Sequence, residues 1–327
     1  MIHVENLTQT FRVHKKEPGL RGSLRSLFNR QWHEVHALKN VSLHIQAGEI
    51  VGLIGANGAG KTTLVKCLSG ILHPSSGTAK VLGFTPWQRR NEFRRKIALI
   101  MGQKAQLWWD LPAADGFILL REIYRIPEPE FRRNLAELTE ALSIGDKLTT
   151  QIRRLSLGER MKMELIAALL HQPQIVFLDE PTIGLDLTAQ RSIRDFLLRY
   201  QAKHHPAMLL TSHYMEDIEK LCARIIILRE GSIVYDGSLR EVLERYATHK
   251  LVTVHWEVEG KENLTANPLP EPMGEITLRE PGLLKVKVLR SRIAEASAHL
   301  LQNLPATDLS VEEEDIGNII EALIRKN

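Results

Sequence analysis

The sequence has no apolar run that approaches the ~18 residues of a membrane-spanning helix. It also shows no N-terminal segment with the composition of a secretory signal. Its 327 residues are 43% hydrophobic, which is ample for a packed interior. We therefore expect a protein that is soluble or peripheral to a membrane, with one large α/β domain and a second, small one.

Cysteine is scarce, and no charge of one sign dominates. Cys67 and Cys222 have no Cys-x-x-Cys spacing, which indicates a reducing compartment and argues against a zinc site. The 13 histidines show no metal-ligand spacing either. The net charge of +4 is too small to predict nucleic-acid binding, so we expect no nucleic-acid partner.

What the sequence does contain is a phosphate-binding motif, because residues 55–62 match GxxxxGK[ST] in full. An apolar strand pattern precedes it and a helical pattern follows it. In such a strand–loop–helix the backbone N–H groups of Gly58, Gly60 and Lys61 can point at one anion, and the helix dipole adds to their field. Lys61 would reach the β- and γ-phosphates, and the Thr62 hydroxyl would ligate Mg²⁺. The alternative, a glycine-rich turn that binds nothing, is disfavoured by the complete motif in its context. The predicted nucleotide-binding residues of this loop are Asn57, Gly58, Ala59, Gly60, Lys61, Thr62 and Thr63.

A pair of carboxylates follows a second apolar strand pattern at 174–181, which is the Walker B arrangement. Asp179 would hold Mg²⁺, directly or through water. Glu180 would act as a general base on the attacking water. The two motifs together predict a bound nucleotide and Mg²⁺.

Four further segments resemble those of the ATP-binding cassette (ABC) ATPases. The sequence Leu-Ser-Leu-Gly-Glu at 155–159 resembles the LSGGQ signature, and Ile-Gly-Leu-Asp at 183–186 looks like the D-loop. An apolar strand pattern that ends at His213 looks like the strand before the family's switch histidine. Gln103 looks like its Q-loop glutamine. The motifs occur in family order, and the resemblance covers residues 1 to about 245.

The resemblance implies a role for each of these residues. Lys61, Gln103, Glu180 and His213 would act in hydrolysis, and Gln103 would also contact Mg²⁺ beside Thr62 and Asp179. The signature residues would reach the nucleotide of a second cassette, and Asp186 would be the D-loop aspartate. These signature residues are Ser156, Leu157, Gly158 and Glu159.

The signature departs from the family pattern at two positions. Leu157 stands where the family has glycine, and Glu159 stands where it has glutamine. A glutamate suits the first turn of a helix, where it faces the positive end of the dipole. Ser156 is also a favourable helix N-cap, which is the purely structural alternative to a role in binding.

Phe11 is the predicted adenine-stacking residue, because the family uses an aromatic side chain near the start of the domain. It precedes Lys61 by 50 residues, which is more than the family's usual gap, and we attribute the extra length to an insert at about 13–34. Phe11 could equally be a core residue at a strand end. The insert is basic and has leucines at helical spacing, which predicts an amphipathic helix that contacts lipid or a partner, or that packs on the cassette.

Residues 104–160 should form the helical subdomain, which in the family grips a short helix of the transmembrane subunit. Trp108 and Trp109 would line that groove or belong to the subdomain core. From residue 250 to 327 the pattern changes to two alternating strands, a helix capped by Ser291, and closing apolar segments. This predicts a small α+β domain without a catalytic constellation.

The predicted fold class is therefore α/β, with a P-loop NTPase core of ABC type at 1–245, its helical subdomain, and the small C-terminal α+β domain. By resemblance, the function would be that of the ATP-hydrolysing subunit of a bacterial ABC exporter. It would pair with a second cassette, as a homodimer, and act through separate transmembrane permease subunits at the cytoplasmic face of the inner (plasma) membrane.

The sequence also disfavours two alternatives to the exporter. A soluble ABC ATPase that acts on ribosomes usually has two cassettes in one chain, and one that acts on DNA has a long coiled coil. Neither pattern occurs here. A P-loop kinase is disfavoured because nothing in a kinase would require the signature, the D-loop and His213 together.

Overall fold

The computed structural model describes residues 1–14, 32–102, 105–257, 273–314, 317 and 319. The chain divides into two compact units, Met1–Gly237 and Ser238–Asn327. The predicted boundary at 245–250 lies downstream of this division. Most of the insert predicted at 13–34, including its amphipathic helix, lies outside the described residues.

The first unit contains a three-stranded antiparallel sheet with the order β2-β1-β4. Its strands are β1 (Ile2–His14), β2 (Trp32–Ile45) and β4 (Ser76–Val81). Its inner face is apolar and includes the fully buried Leu7 and Leu38. β2 begins three residues before the expected start at Val35, and β1 continues to His14. Both strands therefore extend into the ends of the predicted insert.

A six-stranded sheet with the order β5-β6-β7-β3-β8-β9 forms the centre of the first unit. Its strands are β3 (Ile50–Ile54), β5 (Ile97–Met101), β6 (Ile175–Asp179), β7 (Ala207–Thr211), β8 (Arg224–Arg229) and β9 (Ser232–Ser238). The pairs from β5 through β8 are parallel. Strands of a parallel sheet are covered on both faces, which explains the continuous apolar runs in the sequence.

Seven helices of the first unit are described: α1 (Lys61–Leu68), α2 (Asn91–Arg94), α3 (Ala113–Tyr124), α4 (Glu128–Ala141), α5 (Leu157–Leu169), α6 (Leu187–His204) and α7 (Met215–Leu221). Short 3₁₀ turns occupy Pro86–Gln88, Gly145–Lys147 and Ile152–Arg154. α3 and α4 lie in the region predicted as the helical subdomain. Among the helices of the described part of the chain, none has the length and apolar character to cross a bilayer.

The second unit contains a four-stranded antiparallel sheet with the order β11-β12-β10-β13. Two helices with defined bounds accompany it in the described part of the unit. Its elements are α8 (Leu239–Tyr246), β10 (His249–His255), β11 (Glu275–Glu280), β12 (Leu283–Leu289), a 3₁₀ turn (Arg290–Arg292), α9 (Ile293–Asn303) and β13 (Asp308–Glu313). α9 packs its buried face, which includes Leu300, against Val252 and Val286 of the sheet.

Two features of this unit differ from the sequence analysis. β11 was not predicted, although Ile276 and Leu278 alternate with polar residues. The N-cap of α9 is Arg292 rather than Ser291, because Ser291 lies within the preceding 3₁₀ turn. The expected closing stripe of Ile316, Ile320 and Leu323 lies outside the described residues.

Candidate functional site

The carboxyl ends of three neighbouring parallel strands bring the predicted catalytic motifs together. β6, β7 and β3 lie side by side in the central sheet. The phosphate loop follows β3, the carboxylate pair ends β6, and Ser212 and His213 follow β7. The carboxyl edge of such a sheet is where α/β proteins bind ligands.

The phosphate loop leaves backbone donors unused at the start of α1. Gly60 is the N-cap of this helix, with φ of 108°, and no side chain caps it. The first N–H groups of a helix have no intrahelical partner, so those of α1 remain for an anion. A Cβ on Gly60 would lie 2.4 Å from the Ala37 carbonyl oxygen, whereas one on Gly58 would meet nothing within 4 Å. Asn57 and Gly58 are exposed, and Ala59 is buried.

Lys61 points back into the loop rather than to solvent. Its Nζ donates hydrogen bonds to the carbonyl oxygens of Gly55 at 2.6 Å and Ala56 at 3.2 Å. Burial lowers the pKa of the Lys61 ammonium, and the charges of Glu180 and Asp179 oppose that shift. The ammonium has three N–H donors, so a nucleotide phosphate that binds here can accept the third or displace one of the two carbonyl groups.

Asp179, at the end of β6, accepts hydrogen bonds from two hydroxyl groups. Thr62 Oγ1 donates to Oδ2 at 3.0 Å, and Thr211 Oγ1 donates to Oδ1 at 2.7 Å. Carboxylate and hydroxyl oxygens are the hard donors that Mg²⁺ prefers, and Mg²⁺ keeps waters and phosphate oxygens as its other ligands. No group of three or more acidic, histidine or cysteine side chains that could hold a metal occurs among the described residues. Thr62 and Asp179 therefore fit an Mg²⁺ ion that arrives with the nucleotide.

The side chains of Glu180 and His213 are in contact beside this carboxylate. His213 Nε2 lies 2.8 Å from Glu180 Oε1, and both side chains remain partly exposed. The backbone of Glu180 has φ of 57°, and its N–H donates to the carbonyl and the hydroxyl oxygen of Thr211. A Cβ on Gly102 would lie 2.1 Å from the Glu180 carbonyl oxygen. Gly102 and Thr211 thus pack closely against the left-handed turn at Glu180 and fix the direction of the Glu180 side chain.

The signature residues begin helix α5 and form a capping box. Ser156 Oγ accepts the Glu159 N–H at 3.2 Å, and Glu159 Oε2 accepts the Ser156 N–H at 2.9 Å. The glutamate in place of glutamine therefore stabilises the helix start, as the structural alternative for Ser156 requires. Leu157 is exposed and reaches Gly184, where an added Cβ would lie 3.3 Å from Leu157 Cδ2.

Asp186 is the N-cap of the next helix, α6. Its carboxylate accepts the Ala189 N–H at 2.9 Å at the start of α6. A Cβ on Gly158 would lie 3.0 Å from the Ala189 side chain, so the signature and the D-loop adjoin. Among the described residues, no side-chain hydrogen bond joins Ser156, Gly158 or Asp186 to Lys61 or Glu180, although the Ile183 N–H of the D-loop donates to the Glu180 carbonyl oxygen at 3.3 Å. The predicted residues therefore form two separate groups, at the strand ends and at the starts of α5 and α6.

Phe11, the predicted adenine-stacking residue, stands apart from both groups. Phe11 is half-buried in β1 and pairs with Val35 of β2. Two residues further along β2, the Ala37 carbonyl is the group that a Cβ on Gly60 would strike. β2 thus connects the strand position of Phe11 with the phosphate loop. Gln103 lies outside the described residues.

Asp217 is a polar residue that the sequence analysis missed. It is fully buried and accepts hydrogen bonds from Thr182 at 2.5 Å, Ser212 at 2.7 Å and Arg194 at 2.9 Å. A signal was available, because Arg194 falls on the apolar stripe of α6, between Ile193 and Leu197. A charge at such a position predicts a buried partner.

A second missed carboxylate connects α5 with the segment that follows Gln103. Glu164 accepts the N–H groups of Gln106 and Leu107 at distances of 2.9 to 3.2 Å. Burial raises the pKa of the Glu164 carboxyl, and these two N–H groups and the charge of Arg160 oppose the rise. The Arg160 guanidinium also lies 4.9 Å from the centre of the Trp109 ring.

Two cavities lie next to helices α2 and α3, and Arg94 and Tyr124 line both. One has a volume of about 340 Å³ and an apolar floor. The other has a volume of about 500 Å³ and is edged by Arg94, Arg95 and Arg125. None of these three guanidinium groups forms an ion pair with a side chain in the described part of the chain.

Comparisons with known proteins agree on one family. The profile described as "ABC transporter" matches residues 38–183. The chain is 31% identical to the ABC transporter ATP-binding protein NatA of Bacillus subtilis over 210 residues, which is 64% of this chain and 85% of NatA. It is 27% identical to the linearmycin resistance ATP-binding protein LnrL of Bacillus subtilis, over 85% of this chain and 90% of LnrL.

A solved structure is similar as well. It is the dimeric structure of MJ0796, a bacterial ABC transporter cassette. The sequence identity is 25% and the TM-score 0.61, over 73% of this chain and 99% of that one. The central sheet and the motifs at its edge thus belong to a known architecture.

Proposed function

Because this chain belongs to the ABC transporter family and is its ATP-binding subunit, we propose that it hydrolyses MgATP to drive export through separate transmembrane subunits. The observation that carries the proposal is the convergence of Lys61, Thr62, Asp179, Glu180 and His213 at one edge of the central sheet. These five side chains supply a phosphate ligand, two metal ligands and a carboxylate beside a histidine. That set provides the positive charge and the base that the transfer of a phosphoryl group to water requires.

In the proposed reaction the protein mainly positions and neutralises charge. The N–H groups at the start of α1 and the Lys61 ammonium bind the β- and γ-phosphates. Mg²⁺, when it is bound by Thr62 and Asp179, supplies positive charge to the phosphate oxygens. Glu180 takes a proton from water as the water oxygen attacks the γ-phosphorus and the bond to the bridging oxygen breaks. His213, at 2.8 Å from Glu180, orients that carboxylate.

The separation of the two groups of predicted residues supports action as a pair of cassettes. Ser156 and Asp186 are exposed and share no hydrogen bond with the strand-end group. We propose that a second copy of the chain brings its own Ser156 and Gly158 to the bound nucleotide. The dimeric state of the similar cassette MJ0796 agrees with this arrangement. Adenine would stack on Phe11, at the end of β1 that β2 connects with the phosphate loop.

An apolar surface on the first unit supports a transmembrane partner. Trp108 and Trp109 are 46% and 52% exposed, which favours a docking role over the alternative role in the core. Ile118, Leu119 and Ile123 add exposed apolar area on α3. Exposed aromatic and aliphatic side chains of this size are typical of interfaces. The arginines along the edge of the neighbouring cavity would suit a docking segment that carries carboxylates.

The direction of transport rests on a relative. LnrL is named for linearmycin resistance, and this chain resembles it over 90% of its length. We propose export on that basis, at the cytoplasmic face of the plasma membrane. The transmembrane subunits would determine the cargo, because the described cavities of this chain lie next to the proposed docking surface.

The test isolates the native complex. The tagged full chain is purified from detergent-solubilised membranes of its own cells, and its partners are identified by mass spectrometry. We expect a protein of about six apolar spans and ATP hydrolysis that stops when EDTA removes Mg²⁺. Trp109→Ala and Arg94→Glu should reduce recovery of that protein, whereas Leu301→Ala, at an exposed site in the second unit, should not. Co-sedimentation with ribosomes and no membrane protein would contradict the proposal.

A further inference from the structure

We propose that Asp217 is a positioning residue that holds Glu180 and His213 in the arrangement needed for hydrolysis. The inference rests on the proposed function and extends it to a residue outside the motifs. Asp217 is fully buried at the start of α7. Its carboxylate receives three hydrogen bonds, two of them from the segments that carry the proposed catalytic pair.

The two hydroxyl donors flank the pair along the chain. Thr182 lies two residues after Glu180, and Ser212 immediately precedes His213. Both hydroxyl groups donate to the same atom, Asp217 Oδ2, at 2.5 Å and 2.7 Å. One oxygen atom therefore fixes the exits of β6 and β7 relative to each other. The distance of 2.8 Å between Glu180 and His213 depends on that relative position.

Arg194 balances the charge of Asp217 by binding its other carboxylate oxygen. Arg194 Nη1 donates to Asp217 Oδ1 at 2.9 Å, and Arg194 Nη2 reaches Glu216 at 2.8 Å. A buried carboxylate without such a partner would cost several kcal/mol. With Arg194 in place, Oδ2 is free to accept both hydroxyl groups. A carboxylate only accepts hydrogen bonds, so Asp217 can accept from Thr182, Ser212 and Arg194 together. The amide NH₂ group of an asparagine at this position would instead face one of these donors with its own hydrogens.

The same residues also explain how Glu180 is held in a left-handed backbone conformation, with φ of 57°. A non-glycine residue at a positive φ costs on the order of 1–3 kcal/mol and persists only where its surroundings over-determine it. The Glu180 N–H is held by Thr211 on one side of this turn. Thr182, on the other side, is held by Asp217. The turn that aims the Glu180 carboxylate is thus fixed at both ends.

The test removes one donor and leaves the buried charge paired, because Asp217→Asn itself could prevent folding. Thr182→Val deletes the hydroxyl that anchors the Glu180 segment. Thr139→Val is the matched control, since the Thr139 hydroxyl is also buried and donates to the Leu135 and Ala136 carbonyls in α4. In the full chain, Thr182→Val should lower kcat about 10-fold and leave the Kd for ATP unchanged, as expected for one lost hydrogen bond to a charged group. Thr139→Val should leave both unchanged.

A second readout does not depend on turnover. Hydrogen–deuterium exchange of the nucleotide-free protein should become faster at residues 179–186 and 211–216 in Thr182→Val, and unchanged in Thr139→Val. Equal losses of kcat in the two variants, an unchanged kcat in Thr182→Val, or faster exchange across the whole central sheet would overturn the positioning role. Absence of turnover in the wild-type protein would instead contradict the proposed function, and the exchange pattern would still decide the role of Asp217.

Discussion

The interiors of the two units differ in what they bury. The first unit encloses charged side chains, namely Lys61, Glu164, Asp179, Arg194 and Asp217. In the second unit, Thr253 is the one buried polar side chain among the described residues. The core of that unit is made of valine, leucine and alanine side chains. Taking a charge out of water costs several kcal/mol, and ion pairs and hydrogen bonds inside the protein often offset only part of that cost. The first unit therefore gives up stability to hold specific groups in place, whereas the second satisfies packing alone.

The sheets differ in a related way. The parallel strands of the first unit end at one edge, so the loops after β3, β6 and β7 meet. Successive antiparallel strands of the second unit end at opposite edges, which separates their loops. We infer that topology, as much as composition, determines which unit can assemble a site from distant segments of the chain.

The largest expected effect tests whether the first interior serves chemistry. Glu180→Gln keeps the size of the side chain and removes the base, so turnover should fall by a factor on the order of 10²–10⁴. ATP binding should survive because Lys61, Thr62 and Asp179 are unchanged, and light scattering should detect a stable ATP-dependent dimer. Glu140→Gln, on the exposed face of α4, is the matched control. Near wild-type turnover in Glu180→Gln would refute the base assignment.

The second prediction probes the apolar interior. Leu300→Ala should lower the stability of the second unit by about 2–5 kcal/mol, because it removes a fully buried side chain from a close-packed core. The Kd for ATP should stay within about twofold of the wild-type value if that core serves only its own unit. Leu301→Ala, at an exposed neighbouring position, should change neither quantity. Urea unfolding and ATP titration measure the two effects, and a loss of ATP affinity in Leu300→Ala would erase the distinction between the units.

Lys61→Ala should reduce ATP affinity about 10- to 100-fold, as expected for hydrogen bonds from a charged donor. The carbonyl oxygens of Gly55 and Ala56 would also lose their donor, so a small loss of stability should accompany it. Lys66→Ala, on the same helix, is the control. Isothermal titration with ATP measures both variants. Unchanged affinity in Lys61→Ala would show that the loop does not bind phosphate through this side chain.

Local pattern was enough to predict much of this site. The strands at 50–54 and 97–101 occur where the apolar runs indicated. Thr62 and Asp179 meet because their motifs follow β3 and β6, the two strands that flank β7 in the sheet. Motifs of this kind are contiguous in sequence, so a single segment carries the signal.

The two buried carboxylates could not be predicted in this way. Glu164 meets N–H groups 57 and 58 residues earlier in the chain, and Asp217 meets Thr182 at a separation of 35 residues. Which donor each acid finds depends on how helices dock on the sheet, and periodicity gives only the buried face. Polar side chains on apolar helix faces are therefore the signal to search for, although the partner must come from the fold.

A smaller effect concerns pH and the charge on Glu164. Burial raises the pKa of Glu164 in the folded protein above its value in the unfolded chain. At a pH between these two pKa values, the folded state therefore binds more protons at Glu164 than the unfolded state does. The contribution of Glu164 to stability therefore falls as pH rises from its unfolded pKa through its folded pKa. Glu164→Gln removes this dependence, so its stability relative to wild type should increase between pH 4 and pH 7. Urea midpoints across that range measure the difference, and parallel curves would rule out a raised pKa.

The smallest expected effect is on ATP binding when the second unit is removed. A chain that ends after Ala247 keeps every residue of the proposed nucleotide site and helix α8, and it loses the sheet of β10 to β13 together with its apolar core. Because that core is closed by α9 from its own unit, the first unit should fold and bind ATP with a Kd within about twofold of the full chain. Gel filtration and ATP titration of the shortened chain test this. An aggregated or nucleotide-free product would mean that the second unit completes the interior of the first. The first unit could then not be described as a separate domain whose buried charges serve ATP hydrolysis.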